Sequence, residues 1–401
     1  MNHKEGPSIL FIVPATLAAL RAKGVEHLLH QRDEGGYFKQ VITVHPNAEA
    51  EHVEQVSPNH TVYEFSINSL RGWNRLPKWC VMAHYRRVKR KVLELIREYD
   101  IDFVRSNSPF LEGMIALYAG RKAHIPVVVS LHADYMFQHK LDPEYGAPRF
   151  LGSYFWSDHL SRYVLKRADQ IFPISQYLAD RYINRGIPSD KFRVFRHYID
   201  AEFWQSKTDP RWKSNLGWEN DRLLACVGRL SRQKYVYDVL KTFEGIAEDF
   251  PDTRLVMVGD GEERQAIMRL AEESRWKERI SLVGPWPKHA ILALYRNSEL
   301  AFCMLAGFSL LEAMAASAPV VCYDVEWHRE VVEHGVNALM APMGDTDSLQ
   351  KHVRLLLCDP RRAQEMGESA RKTVLAKHSR ELVVAQHVRI YEDVLRDLPQ
   401  I

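Results

Sequence analysis

The 401 residues contain no Cys-x-x-Cys pair, no Gly-x-Gly-x-x-Gly, no Gly-x-x-x-x-Gly-Lys, no internal repeat and no low-complexity tract. Each absence removes a class of function. Five widely spaced cysteines, Cys80, Cys226, Cys303, Cys322 and Cys358, are odd in number and form neither a disulfide framework nor a zinc site, which fits a reducing cytoplasm. No apolar run reaches the roughly 18 residues of a spanning helix, so any membrane contact would be peripheral. The stretch Ile9–Leu20 sits behind Lys4 like a secretion signal, but Glu5 and Pro14 argue instead for a first buried strand and its turn. Strong charge of one sign is also missing. Net charge is +3, with 27 basic and 21 acidic side chains in residues 1–200 and 27 and 30 in the rest. That is too mild for a nucleic-acid protein and leaves room for an anionic partner of the first half.

What the chain does have is a 46% hydrophobic content, enough core for two domains of ordinary size. Short runs rich in Val, Ile and Phe alternate with amphipathic stretches from end to end. In the first half, strands are expected at Ile9–Val13, Gln40–Val44, Ile101–Val104, Pro126–Leu131 and Gln170–Ile174. In the second they are expected at Leu223–Val227, Arg254–Val258, Ile280–Val283, Leu300–Leu305 and Val320–Tyr323. Helical patterns include Arg86–Glu98, Val236–Asp249, Glu263–Ser274 and the tail Ser379–Leu398. Strands alternating with helices build parallel sheets covered on both faces, so the pattern is α/β with two doubly wound domains. The polar, aperiodic stretch Asp200–Asp221 marks the break.

In open parallel sheets, ligands bind outside the carboxyl ends of the strands. Four second-half loops therefore carry the candidate chemistry. In Gly228-Arg229-Leu-Ser-Arg-Gln-Lys234, Arg229 and Lys234 stand before a helix, a setting for a diphosphate or merely two solvated charges. Gly259-Asp-Gly261 is explained as readily by a tight turn as by a ligand. Gly284-Pro285-Trp286-Pro287 is a stiff turn, offering either backbone groups to a flat base or a core tryptophan. The fourth loop runs from Cys303 into a helix expected at Leu310–Ala316, where Ser309-x-x-Glu312 reads as a capping box. The other reading leaves the amides of Gly307, Phe308, Ser309 and Leu310 free for phosphate and Glu312 for a vicinal diol such as ribose.

Taken in order, Val227-Gly-Arg-Leu-x-x-x-Lys234, Val258-Gly-Asp-Gly, the Gly284 turn, Gly307-Phe-Ser-Leu-Leu-Glu-Ala-Met-Ala-Ala and Pro319-Val-Val resemble glycosyltransferase family 4. Glu330-Val-Val and Gly335-Val-Asn-Ala-Leu-Met-Ala-Pro-Met-Gly-Asp345 continue the resemblance. Ile125–His132, Ala168–Ser175 and Tyr198-Ile-Asp200 carry it into the first half. The resemblance implies a GT-B fold, two Rossmann-like domains facing each other across a cleft. Residues 1–203 would form the acceptor side, with the helix 384–401 packed back on it, and residues 204–383 the nucleotide-sugar domain. It implies retaining, metal-independent transfer from a UDP- or GDP-sugar to a glycan, lipid-linked or small-molecule acceptor, with no cofactor. Arg229 and Lys234 would hold the diphosphate, Gly228, Gly307, Phe308, Ser309, Leu310 and Glu312 the donor, and Gly284, Pro285 and Trp286 the base. His132 would face the donor sugar.

Two departures stand out. The family's first carboxylate is replaced by Met304 or Ala306, depending on alignment, and Pro14-Ala-Thr-Leu-Ala replaces a Gly-Gly turn. Two rival functions stay open: another GT-B enzyme such as an epimerase or phosphorylase, and a non-catalytic nucleotide-sugar-binding protein. On the acceptor side, the basic and aromatic segment Arg71–Lys91 reads either as a contact for an anionic membrane or as a solvated helix face over Val88, Val92, Leu95 and Ile96.

Overall fold

A computed structural model describes residues 6–22, 29–66, 78–305 and 307–397, in two compact units. Unit 1 comprises residues up to Met136, Ala147–Arg196 and the chain from Val384 onward; unit 2 comprises Phe137–Gly146 and His197–Val383.

Unit 1 is built on β1 (Ser8–Ile12), β2 (Gln40–Ala48), β3 (His52–Ser57), β4 (His60–Ser66), β5 (Phe103–Ser106), β6 (Val127–Leu131) and β7 (Gln170–Pro173). They lie in the order β3-β4-β2-β1-β5-β6-β7, parallel throughout except for the antiparallel pair β3 and β4. The sequence reading anticipated five of these strands and missed the β3–β4 hairpin. β3 is an exposed edge carrying His52, Glu54 and Gln55, so it lacks the apolar run that marks the buried strands. β1 has β2 on one side and β5 on the other, which makes the carboxyl ends of β1 and β5 the switch point.

One core side chain in unit 1 is a cation. Arg105 on β5 is 5% exposed, donates to Ser130 Oγ at 2.8 Å and to the Tyr391 hydroxyl, and lies against the rings of Phe11, Phe172, Phe195 and Tyr391. Aromatic faces partly replace its lost hydration. Tyr391 belongs to the last helix, Arg380–Asp397, so this cluster ties the C-terminal segment into the core beside Ile9 and Phe103.

Unit 2 is built on β8 (Arg222–Val227), β9 (Thr253–Val258), β10 (Ile280–Gly284), β11 (Ser298–Phe302), β12 (Val320–Tyr323) and β13 (Leu339–Ala341), all parallel, in the order β10-β9-β8-β11-β12-β13. Its switch point lies between β8 and β11. The stretch Asp200–Asp221 is not aperiodic throughout: it holds a helix, Ala201–Gln205, a short 3-10 turn, Ser214–Leu216, and the buried Trp204 and Trp218. Two aromatic anchors are therefore hidden in a polar-looking stretch.

Candidate active site

The loops after β8, β9 and β10 are stitched together by their backbones. The amide of Gly228 donates to Val258 O at 2.9 Å, Leu230 to Asp260 O at 3.0 Å, Glu263 to Leu230 O at 3.0 Å and Gly259 to Gly284 O at 2.9 Å. Gly259-Asp-Gly261 is required by that closeness. A Cβ on Gly259 would stand 1.9 Å from Gly228 O, at a φ of +138° that suits only glycine, and one on Gly261 would stand 2.3 Å from Leu230 O. Gly259→Ala is therefore expected to cost about 3 kcal/mol or more, read as a lowered urea midpoint; an unchanged midpoint would show that the loops can part at little cost.

This scaffold presents the two cations differently. Arg229 is exposed, its Nε 2.9 Å from Glu262 Oε2. Lys234 ends the 3-10 turn Arg232–Lys234 and is only partly exposed. Its ammonium reaches across the switch point: a Cβ added to Gly307 would stand 3.3 Å from Lys234 Nζ. Burial pulls the Lys234 pKa below its ordinary value, against the opposing pull of the Glu326 carboxylate. A partly desolvated ammonium thus sits beside the start of the helix Phe308–Ala315, where the helix dipole is also positive. Two positive ends facing one space call for an anion.

That helix corrects the capping-box reading. It begins at Phe308 and ends at Ala315, rather than running from Leu310 to Ala316, and Gly307 is its N-cap with no side-chain capping bond. Ser309 is inside the first turn, so Ser309 and Glu312 cannot form the box. The Leu310 amide is already bonded to Gly307 O at 3.2 Å, which removes one of the amides expected to be free. Burial pushes the Glu312 carboxyl up to about 7, with the Lys288 ammonium acting in the opposite direction. Phe308 is exposed and its ring lies 4.4 Å from that of His197.

Met304 is 3% exposed and packs in the hydrophobic core with Phe302 and Leu305; Ala306 lies outside the described residues. The Gly284 turn has the positive φ that glycine allows, 71°. Trp286 stacks on Trp218 at 6.3 Å between centroids and meets Trp212 edge-on at 5.8 Å. The indole thus packs on the linker's tryptophans, and a flat base approaching this turn would meet the backbone of Gly284 and Pro285.

In unit 1, His132 follows β6 and lines a cavity of about 440 Å³ at the carboxyl ends of β1 and β5, with Asn107, Glu112, Tyr135, Arg149 and Phe150. Burial, followed by the Arg105 guanidinium, lowers the His132 pKa to about 4, so the ring is neutral at pH 7. Glu112 is buried, accepts from Ser108 Oγ at 2.7 Å, and has its pKa raised by burial. The sequence reading passed over Glu112 and Asn107; the one available signal was a short polar loop directly after a predicted strand.

In the segment Arg71–Lys91, residues 71–77 lie outside the described residues. The helix Lys78–Glu98 buries Val88, Val92, Leu95 and Ile96. Arg87 pairs with Glu51, Lys91 with Glu94 at 2.6 Å, and Lys89 lies over the Tyr118 ring at 5.2 Å. Arg86 and Arg90 are exposed. Among the described residues no helix is long and apolar enough to cross a membrane.

Residues 208–373 match the model of the glycosyl transferases group 1 family, and residues 13–196 that of the glycosyl transferase 4-like domain. The chain is 24% identical over 350 residues to N-acetyl-α-D-glucosaminyl L-malate synthase of Bacillus anthracis, covering 86% of this chain and 87% of that protein. It is 22% identical over 311 residues to α-monoglucosyldiacylglycerol synthase of Acholeplasma laidlawii, covering 70% and 74%. Sucrose-phosphate synthase of Thermosynechococcus elongatus superposes with a TM-score of 0.79 over 98% of this chain and 100% of its own, at 17% identity. HepE of Anabaena in complex with UDP-glucose superposes with a TM-score of 0.75 over 96% and 99%, at 18% identity. With one family model on each half and GT-B structures matching nearly its whole length, the chain belongs to the glycosyl transferases group 1 family with a glycosyl transferase 4-like domain, and is a GT-B glycosyltransferase.

Proposed function

We propose that this glycosyltransferase moves a sugar from a UDP- or GDP-sugar to a hydroxyl acceptor, with retention at the anomeric carbon and without a metal ion. The observation that carries the proposal is the meeting of Lys234 Nζ with the N-terminus of the helix Phe308–Ala315. As the bond from the anomeric carbon to the diphosphate oxygen breaks, negative charge grows on the leaving diphosphate. Lys234, Arg229 and the amides of Phe308 and Ser309 are fixed in advance to receive it, and stabilise the transition state more than the ground state. The acceptor hydroxyl then bonds to the anomeric carbon, and its proton leaves with the diphosphate.

Glu312, once ionised, accepts from the ribose hydroxyls, while the backbone of Gly284 and Pro285 borders the base. His132, whose neutral ring can donate or accept, is assigned a hydrogen bond with a hydroxyl of the substrate held in the unit 1 cavity. With Met304 in the core, recognition of the sugar falls to groups other than a carboxylate at that position. Support for the donor class comes from the UDP-glucose bound by HepE. The odd number and wide spacing of the cysteines favour a cytoplasmic setting.

A thermal-shift panel of UDP, GDP and their sugars tests this reading. A ligand at 100 times its dissociation constant stabilises by about 2.7 kcal/mol, so one base should raise the melting temperature selectively. No shift with any nucleotide would overturn the assignment. Product NMR then reports the anomer, and transfer that vanishes with EDTA would refute metal independence.

A further inference from the structure

The helix Tyr154–Arg167 is exposed in an unusual way. Its inner face buries Ser157, Ser161, Val164 and Leu165 in unit 1. Its outer face leaves Phe155, Trp156 and Tyr163 at 58%, 50% and 45% exposure, and Leu151, just before it, at 62%. Phe155, His159 and Tyr163 recur every fourth residue, so they form one row, with the Phe155 and His159 rings 4.2 Å apart. Leu151 is held in the left-handed region at φ 53°, followed by Gly152 at φ 78°. A bulky residue seldom adopts that conformation, and such strain collects at functional segments. Scattered exposed apolar residues are ordinary; a turn and a helix face that share four of them are not.

The balance of charge around this row is positive. Asp158 is the helix's one acidic residue, and it is occupied by Arg185 and, at 3.4 Å, by Arg162. Lys166 and Arg167 are exposed, and the Arg167 guanidinium lies over the Tyr163 ring at 3.8 Å. Arg121 reaches the Arg167 carbonyl at 3.4 Å, adding a further cation to the same end. Aromatic and leucine side chains with a basic rim are the composition that partitions into the interface of an anionic bilayer.

The patch is continuous with the unit 1 cavity. Pro148, Arg149 and Phe150 lead directly into the Leu151 turn and line the cavity, as does Ser157 on the same helix. Phe110, Leu111 and Tyr135 make much of the remaining wall, while Glu112 and His132 supply polar groups at the strand ends.

We propose that Leu151, Phe155, Trp156 and Tyr163 seat unit 1 on an anionic membrane surface, and that the acceptor is a membrane amphiphile whose apolar part enters the cavity beside them. The first half stands independently; the second rests on the transferase reading above. The seat is separate from the basic helix Lys78–Glu98.

Flotation of the full-length protein with phosphatidylcholine vesicles, with and without about one-third phosphatidylglycerol, tests the seat. Binding to the anionic vesicles is expected, weakened about tenfold or more in Leu151→Ser/Phe155→Ser/Trp156→Ser. The same variant should keep the wild-type melting temperature and nucleotide response, since nucleotide is assigned to unit 2. Absence of binding by the wild type, or undiminished binding by the triple variant, overturns the proposal. So does loss of binding in Arg86→Ser/Arg90→Ser with the triple variant unaffected. Transfer to a vesicle-embedded hydroxyl lipid should fall in the triple variant while donor hydrolysis in solution persists. Equal transfer by both proteins would sink the amphiphile assignment, whereas failure of the nucleotide panel would sink the transferase reading and leave vesicle binding standing.

Discussion

Lys234→Ala is expected to lower kcat/KM by about 10³-fold while the melting temperature holds or rises. The first half of that result follows from position. Nζ stands at the start of the helix Phe308–Ala315, where the proposed reaction would develop charge on the departing diphosphate. The second half follows from burial. A lysine whose pKa is lowered by folding costs stability at every pH below that folded pKa, because the folded state holds its proton less tightly than the unfolded chain. Removing the amine relieves the cost. A structural lysine would behave in the opposite way, losing stability on substitution. Steady-state kinetics beside thermal melting separate the two roles, and transfer at the wild-type rate by the alanine variant would remove Lys234 from the mechanism.

Glu312→Gln is expected to weaken nucleotide binding by about 10- to 100-fold, the scale of hydrogen bonds to a charged group, without loss of stability. Losing an N-cap would instead cost about 0.5–2 kcal/mol, but the helix is capped by Gly307 and starts before Ser309. The pH dependence adds a sharper readout. The Glu312 pKa is raised from 4.5 to about 7, so between those values the folded chain holds a proton that the unfolded chain has released. The resulting stability penalty is absent below pH 4.5, grows as pH rises and is complete above about 7. Ribose hydroxyls need the ionised form, so nucleotide affinity should climb between pH 5 and about 7 and then level off. In the glutamine variant the climb should be lost. Titration calorimetry at several pH values measures it, and parallel curves for both proteins would refute the ribose assignment.

Much of the architecture is legible locally. Buried parallel strands such as β8 (Arg222–Val227) and β12 (Val320–Tyr323) are built on nearly continuous apolar runs, and their positions follow from composition alone. The β3–β4 hairpin is not legible in this way, because an edge strand is half solvated and its residues alternate or turn polar. β13, three residues long, is too short to show any period. The linker's tryptophans look like isolated aromatics until Trp286 stacks among them.

The candidate site divides along the same line. Motif order along the chain was sufficient to carry the resemblance to glycosyltransferase family 4, because the glycines, cations and acid of each loop are neighbours in sequence. By itself the sequence determined two doubly wound domains, four candidate loops at strand ends and a position that lacks a family carboxylate. Only the tertiary structure decided that Lys234 meets Gly307, that Glu312 is no cap, that Met304 is core, and that His132 and Glu112 share a cavity. The physical reason is sheet order. β8 lies beside β11 although β9 and β10 intervene along the chain, and β1 lies beside β5 in the same manner. Which loops meet at a switch point is fixed by pairings between strands far apart in sequence, and no local pattern of residues encodes those pairings.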